Sequence, residues 1–200
     1  GGTAHTDYDY MRVHDVYELQ HMDVNQIYDV DPDKRKILGR YMLADDIDAR
    51  QTKDWDGGFQ PIGSTDNSMG AFRGQFDGAG HTITGLTIKP PTNTTGEVSR
   101  GMFADIDHAL IENVSLKDAS VSGNVYVGGI VGSAEQHSII RNVSFSGEVH
   151  GNSVVGGIVG EANGGSIRHA VSKAGSAGQT VGTLSGGADA TTDVKFAAEA

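Results

Sequence analysis

The sequence predicts an all-β fold, a right-handed parallel β-helix built from coils of about 28 residues, with a small α-helical cap at its N-terminal end. Two observations lead to this prediction. A six-residue segment, VGGIVG, occurs at residues 127–132 and again, without change, at residues 155–160. The chain also has 29 glycines but only four prolines, which is typical of a chain with many tight turns between Val- and Ile-rich runs.

The repeat extends beyond these two copies. Residues 99–104, 28 positions before the first copy, keep its central glycine and two apolar positions, and residues 181–186 follow the second copy by 26 positions. A second series is in phase with it, because residues 111–116 (IENVSL) match residues 140–145 (IRNVSF), and residues 83–88 precede this series by 28 positions. Each unit therefore contains at least two short β-rich segments.

The length and composition of the unit favour one coil of a parallel β-helix over other repeat folds. A helical repeat requires good helix formers at 3.6-residue spacing, and VGGIVG has neither property. A β-propeller blade requires four strands and about 40 residues. In a β-helix, equivalent side chains stack at the interstrand spacing of about 4.8 Å, so each repeat position becomes a ladder along the solenoid.

Asn113 and Asn142 occupy equivalent positions of two repeats and are predicted to lie at a corner. Ile111 and Val114 are three positions apart, so both face the core only if the chain bends between them. Asparagine tolerates left-handed backbone, and its side-chain amide can bond to the neighbouring coil. We therefore expect Asn113 and Asn142 to form a short ladder with a structural role.

The same register assigns positions to further residues. Gly85 and His169 are expected to interrupt the asparagine ladder on its two sides. Gly129 and Gly157 are equivalent glycines of the two VGGIVG copies and are predicted to be structural, since no Lys-Ser/Thr follows them as in a phosphate-binding loop. The residues predicted to lie in the core are Ile111, Ile140, Val114, Val143, Leu116 and Phe145.

Residues 1–60 do not repeat and are predicted to form a cap, which the end of a solenoid needs because it exposes core and unpaired strand edges. Apolar residues recur at helical spacing in residues 13–24, and Asp15 is placed to cap this short helix. These residues are Val16, Leu19 and Met22. Residues 41–48 are predicted to form the first strand. The expected organisation is an N-terminal cap at 1–60, β-helix repeats at 61–186, and a C-terminal tail or truncated coil at 187–200.

Charge and composition exclude several classes of protein. The formal net charge of −11 argues against binding to nucleic acid and to anionic membranes. No apolar run approaches the roughly 20 residues of a membrane span, so no membrane insertion is expected. The chain has no cysteine and begins at Gly1 rather than at a methionine. We expect a monomeric fragment of a longer chain.

Part of the sequence resembles a known family. Residues 72–86 (FRGQFDGAGHTITGL), 58–63 (GFQPIG), 16–22 and 41–48 resemble the GLUG-repeat region of filamentous-haemagglutinin-like exoproteins, which are exported by two-partner secretion. The resemblance implies an extracellular β-helix at a bacterial cell surface, with a role in adhesion, biofilm formation or virulence. It implies a glycan or a host or matrix protein as partner, and it brings no catalytic residues. An insertion at residues 31–36 departs from the family pattern.

No catalytic site is predicted. β-Helix enzymes that cleave polysaccharides need clustered carboxylates on one exposed face. Asp107 and Glu135 are one repeat apart and are expected to stack in one ladder, but the next equivalent residue is Asn163 and no basic column accompanies them. We interpret this ladder as a solvated edge.

The turn that begins at Asp77 is predicted to be structural. The Asp77 carboxylate is expected to bond backbone amides, and Gly78 and Gly80 belong to the same turn. His81 begins the next strand and has no histidine or carboxylate in its column at 28-residue spacing. It is expected to cap the turn rather than to bind a metal.

A set of five aspartates is the densest acidic group in the chain. Such a group could bind Ca²⁺, which prefers oxygen ligands, but the EF-hand spacing and the glycine-rich calcium nonapeptide are both absent. We therefore predict no metal site and no cofactor, with calcium left open at these residues. They are Asp45, Asp46, Asp48, Asp54 and Asp56.

The expected function is that of a non-catalytic module of a large secreted bacterial surface protein, acting in adhesion or as its structural stalk. Two alternatives remain open, a carbohydrate-active β-helix enzyme and an accessory β-helix domain of an IgA-protease-like surface peptidase. A groove of aromatic and carboxylate side chains would favour the enzyme, but Trp55, the single tryptophan, lies outside the repeats.

Overall fold

The structure is a computed structural model of the 200-residue chain. It describes residues 10–24, 39–64, 70–90, 98–175 and 179–187, and the backbone of 189–190 and 195–196. Most of the predicted tail at 187–200 therefore lies outside the described residues.

Short strands make up most of the described chain. The helices are α1 (Val16–Val24) and a 3-10 helix (Arg50–Asp54). The strands are β1 (Met11–Val13), β2 (Arg40–Leu43), β3 (Ile47–Asp48), β4 (Gln75–Asp77), β5 (Thr82–Thr84), β6 (Thr87–Ile88), β7 (Ser99–Arg100), β8 (Phe103–Asp107), β9 (Leu110–Ser122), β10 (Tyr126–Gly128), β11 (Val131–Glu135), β12 (Ile139–His150), β13 (Val154–Gly156), β14 (Val159–Asn163), β15 (Ser166–Ala174), β16 (Val181–Ser185), β17 (Asp189–Ala190) and β18 (Lys195–Phe196).

These strands form three sheets, and every strand pairing among the described residues is parallel. The largest sheet has 11 strands, and its main path runs β1-β2-β4-β9-β12-β15-β17. A four-stranded sheet has the order β16-β14-β11-β8, and a three-stranded sheet has the order β13-β10-β7. The prediction of an all-β fold is confirmed.

The repeat predicts the strand pairing in the central part of the chain. Val127 pairs with Val155, and Gly128 with Gly156, as the two VGGIVG copies require. Ile111 pairs with Ile140 in the second series. The residues predicted to lie in the core are at most 3% exposed, which confirms their assignment: Ile111, Ile140, Val114, Val143, Leu116 and Phe145.

The long strand β9 turns two corners. It pairs in succession with three short strands, β4, β5 and β6, so it follows three sides of the stack. Asn113 and Asp118, with φ of 56° and 51°, lie at the points where its partner changes. Left-handed backbone at a single residue redirects a strand, and this allows one uninterrupted strand to enclose part of the core.

The fixed step of 28 residues fails at both ends of the repeat region. Ile83 pairs with Leu116 rather than with Ile111, whose partner is Phe76. The turn of chain between these strands is longer than 28 residues, so a fixed step backwards ends on the next side of the stack. At the other end, Val181 pairs with Val159 rather than with Val155, because the last turn of chain is shorter.

A smaller correction applies to the copy at residues 99–104. Val127 pairs with Arg100, not with Ser99 as a step of 28 implies. Phe103 nevertheless pairs with Val131 at the expected position. The backbone accommodates the one-residue difference at the Gly101-Met102 bend between β7 and β8, so the slip is confined to the short strand β7.

The predicted short helix is present in the N-terminal portion. The Glu18 amide donates to the Asp15 carboxylate at 2.8 Å, the bond expected of an N-cap residue. The apolar face of α1 joins the core through Val16, Leu19 and Met22, each at most 1% exposed. These residues pack in the same core cluster as the strands, which is why a single amphipathic helix is stable there.

The first strand is not where the sequence predicts it. A strand at Met11–Val13 precedes the helix and pairs with β2, because Val13, only 2% exposed, fills the core at that edge. The segment predicted as one strand, residues 41–48, contains two strands, β2 and β3, which pair with different partners across a bend. Strands on both sides of residue 60 share one sheet, so the domain boundary at residue 60 stays a prediction.

Candidate functional site

The corner at Asn113 and Asn142 is built from left-handed backbone and a side-chain ladder. Their φ angles are 56° and 53°, and the Asn142 Nδ2 group donates to Asn113 Oδ1 at 2.8 Å. His169, with φ of 48°, occupies the next position. On the other side, Asn113 Nδ2 donates to Asp77 Oδ1 at 3.1 Å. The expectation that Gly85 adjoins Asn113 is wrong, because this turn of chain is longer than one repeat.

The turn after Asp77 uses its carboxylate for structure. Asp77 Oδ1 accepts the Ala79 amide at 2.7 Å in addition to the Asn113 amide. Gly78 approaches the Asn113 carbonyl so closely that a β-carbon would overlap it, and Gly80 has φ of 80°. Both geometries favour glycine. The Asp77 carboxylate therefore already has two hydrogen-bond donors.

The glycines of the VGGIVG segments allow a close approach inside the stack. A β-carbon on Gly129 would overlap the ring of Phe145 and the carbonyl of Gly157. A β-carbon on Gly157 would overlap the Ser172 hydroxyl. These positions have no phosphate-loop geometry, because the segment after them is a strand rather than a helix.

The five candidate calcium ligands are exposed and are not brought together. The Arg50 guanidinium bonds Asp48 at 2.9 and 2.7 Å and lowers the pKa of Asp48 to about 2. Asp45, Asp54 and Asp56 contribute to no shared site. Within the described ranges, no three His, Asp or Glu side chains are arranged to hold a metal ion.

Asp46 and His81 form a contact that the sequence does not predict. His81 Nδ1 lies 3.1 Å from Asp46 Oδ1, and the Thr82 amide donates to the same oxygen at 2.9 Å. The bond from the Thr82 amide, and then that from His81, lowers the pKa of Asp46. The two residues are 35 positions apart, so a search at 28-residue spacing finds no carboxylate for His81. Asp46 supplies it.

Asp107 and Glu135 stack as the repeat predicts. They pair in register, and Asn163 Nδ2 donates to Glu135 Oε2 at 3.2 Å. The expectation that no basic group accompanies them is wrong. Arg73 Nη2 lies 2.6 Å from Asp107 Oδ2, and His108 Nδ1 lies 2.6 Å from its other oxygen. Arg73 belongs to the longer, irregular turn of chain, where the repeat gives no guidance.

Further ladders lie elsewhere on the surface of the stack. Asn152 Nδ2 donates to Asn124 Oδ1 at 2.9 Å, 28 residues apart. Sequence reasoning missed this pair, although both asparagines follow a glycine at equivalent positions, Gly123 and Gly151. Arg141 Nε bonds Glu112 Oε2 at 2.6 Å, 29 residues apart.

One face of the largest sheet carries an open groove of about 420 Å³. It crosses β5, β9, β12 and β15. Its floor carries a column of outward-facing residues, and the Ser144 hydroxyl donates to the Ser115 hydroxyl at 2.7 Å. The lining residues are Thr82, Ser115, Leu116, Lys117, Ser144, Phe145, Ser146, Val171 and Lys173.

A second cavity, of about 480 Å³, lies between β1, α1 and β2. Glu18, its carboxylate, accepts the backbone amide and lies 3.0 Å from the ring nitrogen of His14. His21 Nδ1 lies 2.6 Å from the Tyr17 carbonyl. The polar groups of this cavity therefore take part in the hydrogen bonding of the helix.

The described surface groups are thus arranged for holding successive turns of chain together. The carboxylates of Asp77, Asp107, Glu112 and Glu135 each have a donor from a neighbouring turn. No carboxylate or histidine lines the groove of about 420 Å³. Its chemistry is that of hydroxyl groups and ammonium groups, which can bind polar or anionic molecules.

Comparisons with known proteins agree with the repeat. Residues 123–149 match the family model of the GLUG motif. The chain is similar to halomucin of Haloquadratum walsbyi (strain DSM 16790 / HBSQ001), with 40% identity over 114 residues, which are 54% of this chain and 1% of halomucin. No solved structure matches the chain. None of the helices in the described part of the chain is long and apolar enough to cross a membrane.

Proposed function

We propose that this chain is a segment of a right-handed parallel β-helix and serves as a non-catalytic module of a large cell-surface or secreted protein, in adhesion or as its stalk. The parallel pairing of residues one repeat apart carries this proposal. Val131, for example, pairs with Phe103 on one side and with Val159 on the other. Connections between parallel strands of one sheet are right-handed in about 98% of cases, which supports the handedness.

Such a stack is suited to act as an extended spacer. Each turn of chain contacts mainly the turns before and after it, so the length grows with the number of repeats. The Asn113–Asn142 and Asn124–Asn152 ladders and the Glu112–Arg141 pair join successive turns on the outer surface. The N-terminal residues 1–60 would close one end of the stack, with α1 covering the core there.

The assignment to a surface protein rests on similarity. The GLUG-motif match and the likeness to halomucin support a surface or secreted module, and the resemblance to filamentous-haemagglutinin-like exoproteins extends this to export by two-partner secretion. A catalytic role has no comparable support, because the ladder carboxylates have donors and the groove has no carboxylate. An accessory domain of a surface peptidase would have the same non-catalytic architecture.

Two measurements on the purified chain test the proposal. Small-angle X-ray scattering should give an elongated particle, and a compact, near-spherical particle would contradict the solenoid. Incubation with a panel of polysaccharides and matrix proteins should give binding or no binding, but no release of reducing ends, unsaturated sugars or peptides. Product release that a boiled sample lacks would contradict the non-catalytic role.

Location is tested on cells. An antibody against this chain should label intact, non-permeabilised cells of the source organism or detect the protein in the culture medium. Labelling that requires permeabilised cells, with no protein in the medium, would contradict a surface or secreted location. An antibody against a cytoplasmic protein serves as the control for cell integrity.

A further inference from the structure

We propose that the groove across β5, β9, β12 and β15 binds a carboxylate-bearing polysaccharide, held by Lys117 and Lys173 and by the hydroxyl groups between them. This inference deepens the adhesive part of the proposed function and rests on it. The groove has a volume of about 420 Å³ and opens to solvent on the face of the sheet, so a chain-like ligand can lie along the stack without entering the core.

The first argument is charge. The protein carries a formal charge of −11, yet the groove contains two lysines and no carboxylate. Lys117 and Lys173 are exposed, and neither has an ion pair within the described part of the chain. The backbone register places Lys195 beside Val171 at one end of the groove. All three lysines that follow residue 90 in the sequence thus lie in or beside this groove.

The second argument is the order of the residues across the strands. One column contains hydroxyl groups on three successive strands, because Thr82 pairs with Ser115 and Ser115 with Ser144. In the neighbouring column, Ser146 pairs with Lys173, and Lys117 is on the strand beyond. Parallel strands lie about 4.8 Å apart, so polar groups recur at regular intervals along the groove.

This regular arrangement fits a polymer of sugars better than a folded protein. Protein interfaces depend on large buried apolar or aromatic anchors, and Val171 is the one apolar residue of the groove that is not buried in the core. Hydroxyl groups both donate and accept hydrogen bonds, as sugars require. The two lysines lie two strands apart, about 10 Å, which suits single carboxylates spaced along a polysaccharide.

Affinity electrophoresis or calorimetry with polygalacturonate tests the proposal on the full 200-residue chain. Binding is expected for polygalacturonate and not for its fully methyl-esterified form, which keeps the sugar backbone but has no charge. Poly-glutamate, a polymer with carboxylates but no sugar, should bind at least tenfold more weakly. Equal binding of the ester or of poly-glutamate would overturn the proposal.

Variants locate the site. Lys117→Gln and Lys173→Gln should each weaken binding about fivefold, consistent with the loss of one solvent-exposed charge contact. Lys173→Arg should retain most of the affinity, since it keeps the charge. Lys53→Gln is the matched control, because Lys53 is equally exposed but lies in the 3-10 helix outside the groove. It should change the affinity by less than twofold.

A neutral variant separates groove binding from general charge attraction. Ser144→Ala removes a hydroxyl from the groove floor without changing the charge, and we expect binding about threefold weaker. Circular dichroism and thermal unfolding should show that each variant is folded. The groove is not the site if the double variant Lys117→Gln/Lys173→Gln binds like the parent, or if Ser144→Ala has no effect.

The outcome for the groove is distinct from the outcome for the proposed function. Absence of polygalacturonate binding would overturn the groove assignment but would leave an elongated, non-catalytic module intact. Release of reducing ends or unsaturated products from bound polygalacturonate would contradict the non-catalytic role but would leave the binding site in place.

Discussion

The side-chain amide of Asn142 donates a 2.8 Å hydrogen bond to the side-chain oxygen of Asn113, which lies 29 residues earlier in the sequence. Both residues have left-handed backbone. The bond therefore joins two turns of chain at the point where each of them changes direction. Asparagine is suited to both tasks, since it tolerates positive φ better than other non-glycine residues.

Asn142→Ala should destabilise the protein by about 2 kcal/mol. The variant loses the ladder bond and also places an alanine in left-handed backbone. Asn152→Ala is the matched control, because Asn152 donates an equivalent bond to Asn124 at 2.9 Å without having a positive φ. It should cost about 1 kcal/mol or less. The measurement is urea-induced unfolding, and equal losses would show that the corner conformation has no energetic role.

The repeat predicts the structure well where the turns of chain have constant length. Val127 and Val155, or Ile111 and Ile140, pair as expected because nothing is inserted between them. The prediction fails at Ile83 and Val181, where the length of the turn changes. A fixed period cannot reveal such a change, because inserted residues in a loop leave the pattern within each strand intact.

The side-chain contacts were predicted only within the regular repeats. The Asp107–Glu135 stack follows from their spacing, whereas Arg73 and Asp46 reach their partners from irregular turns. The corner at Asp118 was also missed. Aspartate tolerates left-handed backbone as asparagine does, but Gly147, not an aspartate, follows it in the next turn, so no repeated residue marks that corner.

Gly129→Ala should destabilise the protein by about 3 kcal/mol, since the new β-carbon overlaps the Phe145 ring and a backbone carbonyl. Gly80→Ala provides the comparison. Gly80 has φ of 80° but nothing within 4 Å of its ideal β-carbon, so the alanine costs only backbone strain, about 1 kcal/mol. Denaturant unfolding measures both. If Gly80→Ala were the more harmful change, backbone conformation rather than close packing would dominate at these turns.

The Asp46 carboxylate should contribute to stability in a pH-dependent way. The Thr82 amide and His81 lower its pKa in the folded protein below the ordinary value of 3.8. A lowered pKa stabilises the folded state while the carboxylate is ionised. The contribution is therefore present above pH 3.8 and is lost as the pH falls through the folded-state pKa.

Asp46→Asn should accordingly be less stable than the parent at neutral pH, and the difference should shrink below pH 3.8. Unfolding curves of both proteins at a series of pH values measure this effect. Asp45→Asn is the control, because Asp45 is equally exposed but is not part of the His81 contact. A difference between Asp46→Asn and the parent that is constant across the pH range would contradict this origin.

Disulfide trapping should distinguish the observed register from the one that a constant repeat implies. Thr82 pairs with Ser115, so their Cα atoms lie about 4.8 Å apart, within the range that a disulfide can bridge. The chain has no native cysteine. Thr82→Cys/Ser115→Cys should therefore form a disulfide on mild oxidation, seen as a mobility shift in a non-reducing gel. A step of 28 residues instead pairs Thr87 with Ser115, whereas Thr87 pairs with Ser120. Thr87→Cys/Ser115→Cys should consequently stay reduced under the same conditions, and the opposite result would restore the constant repeat and displace the groove by one side of the stack.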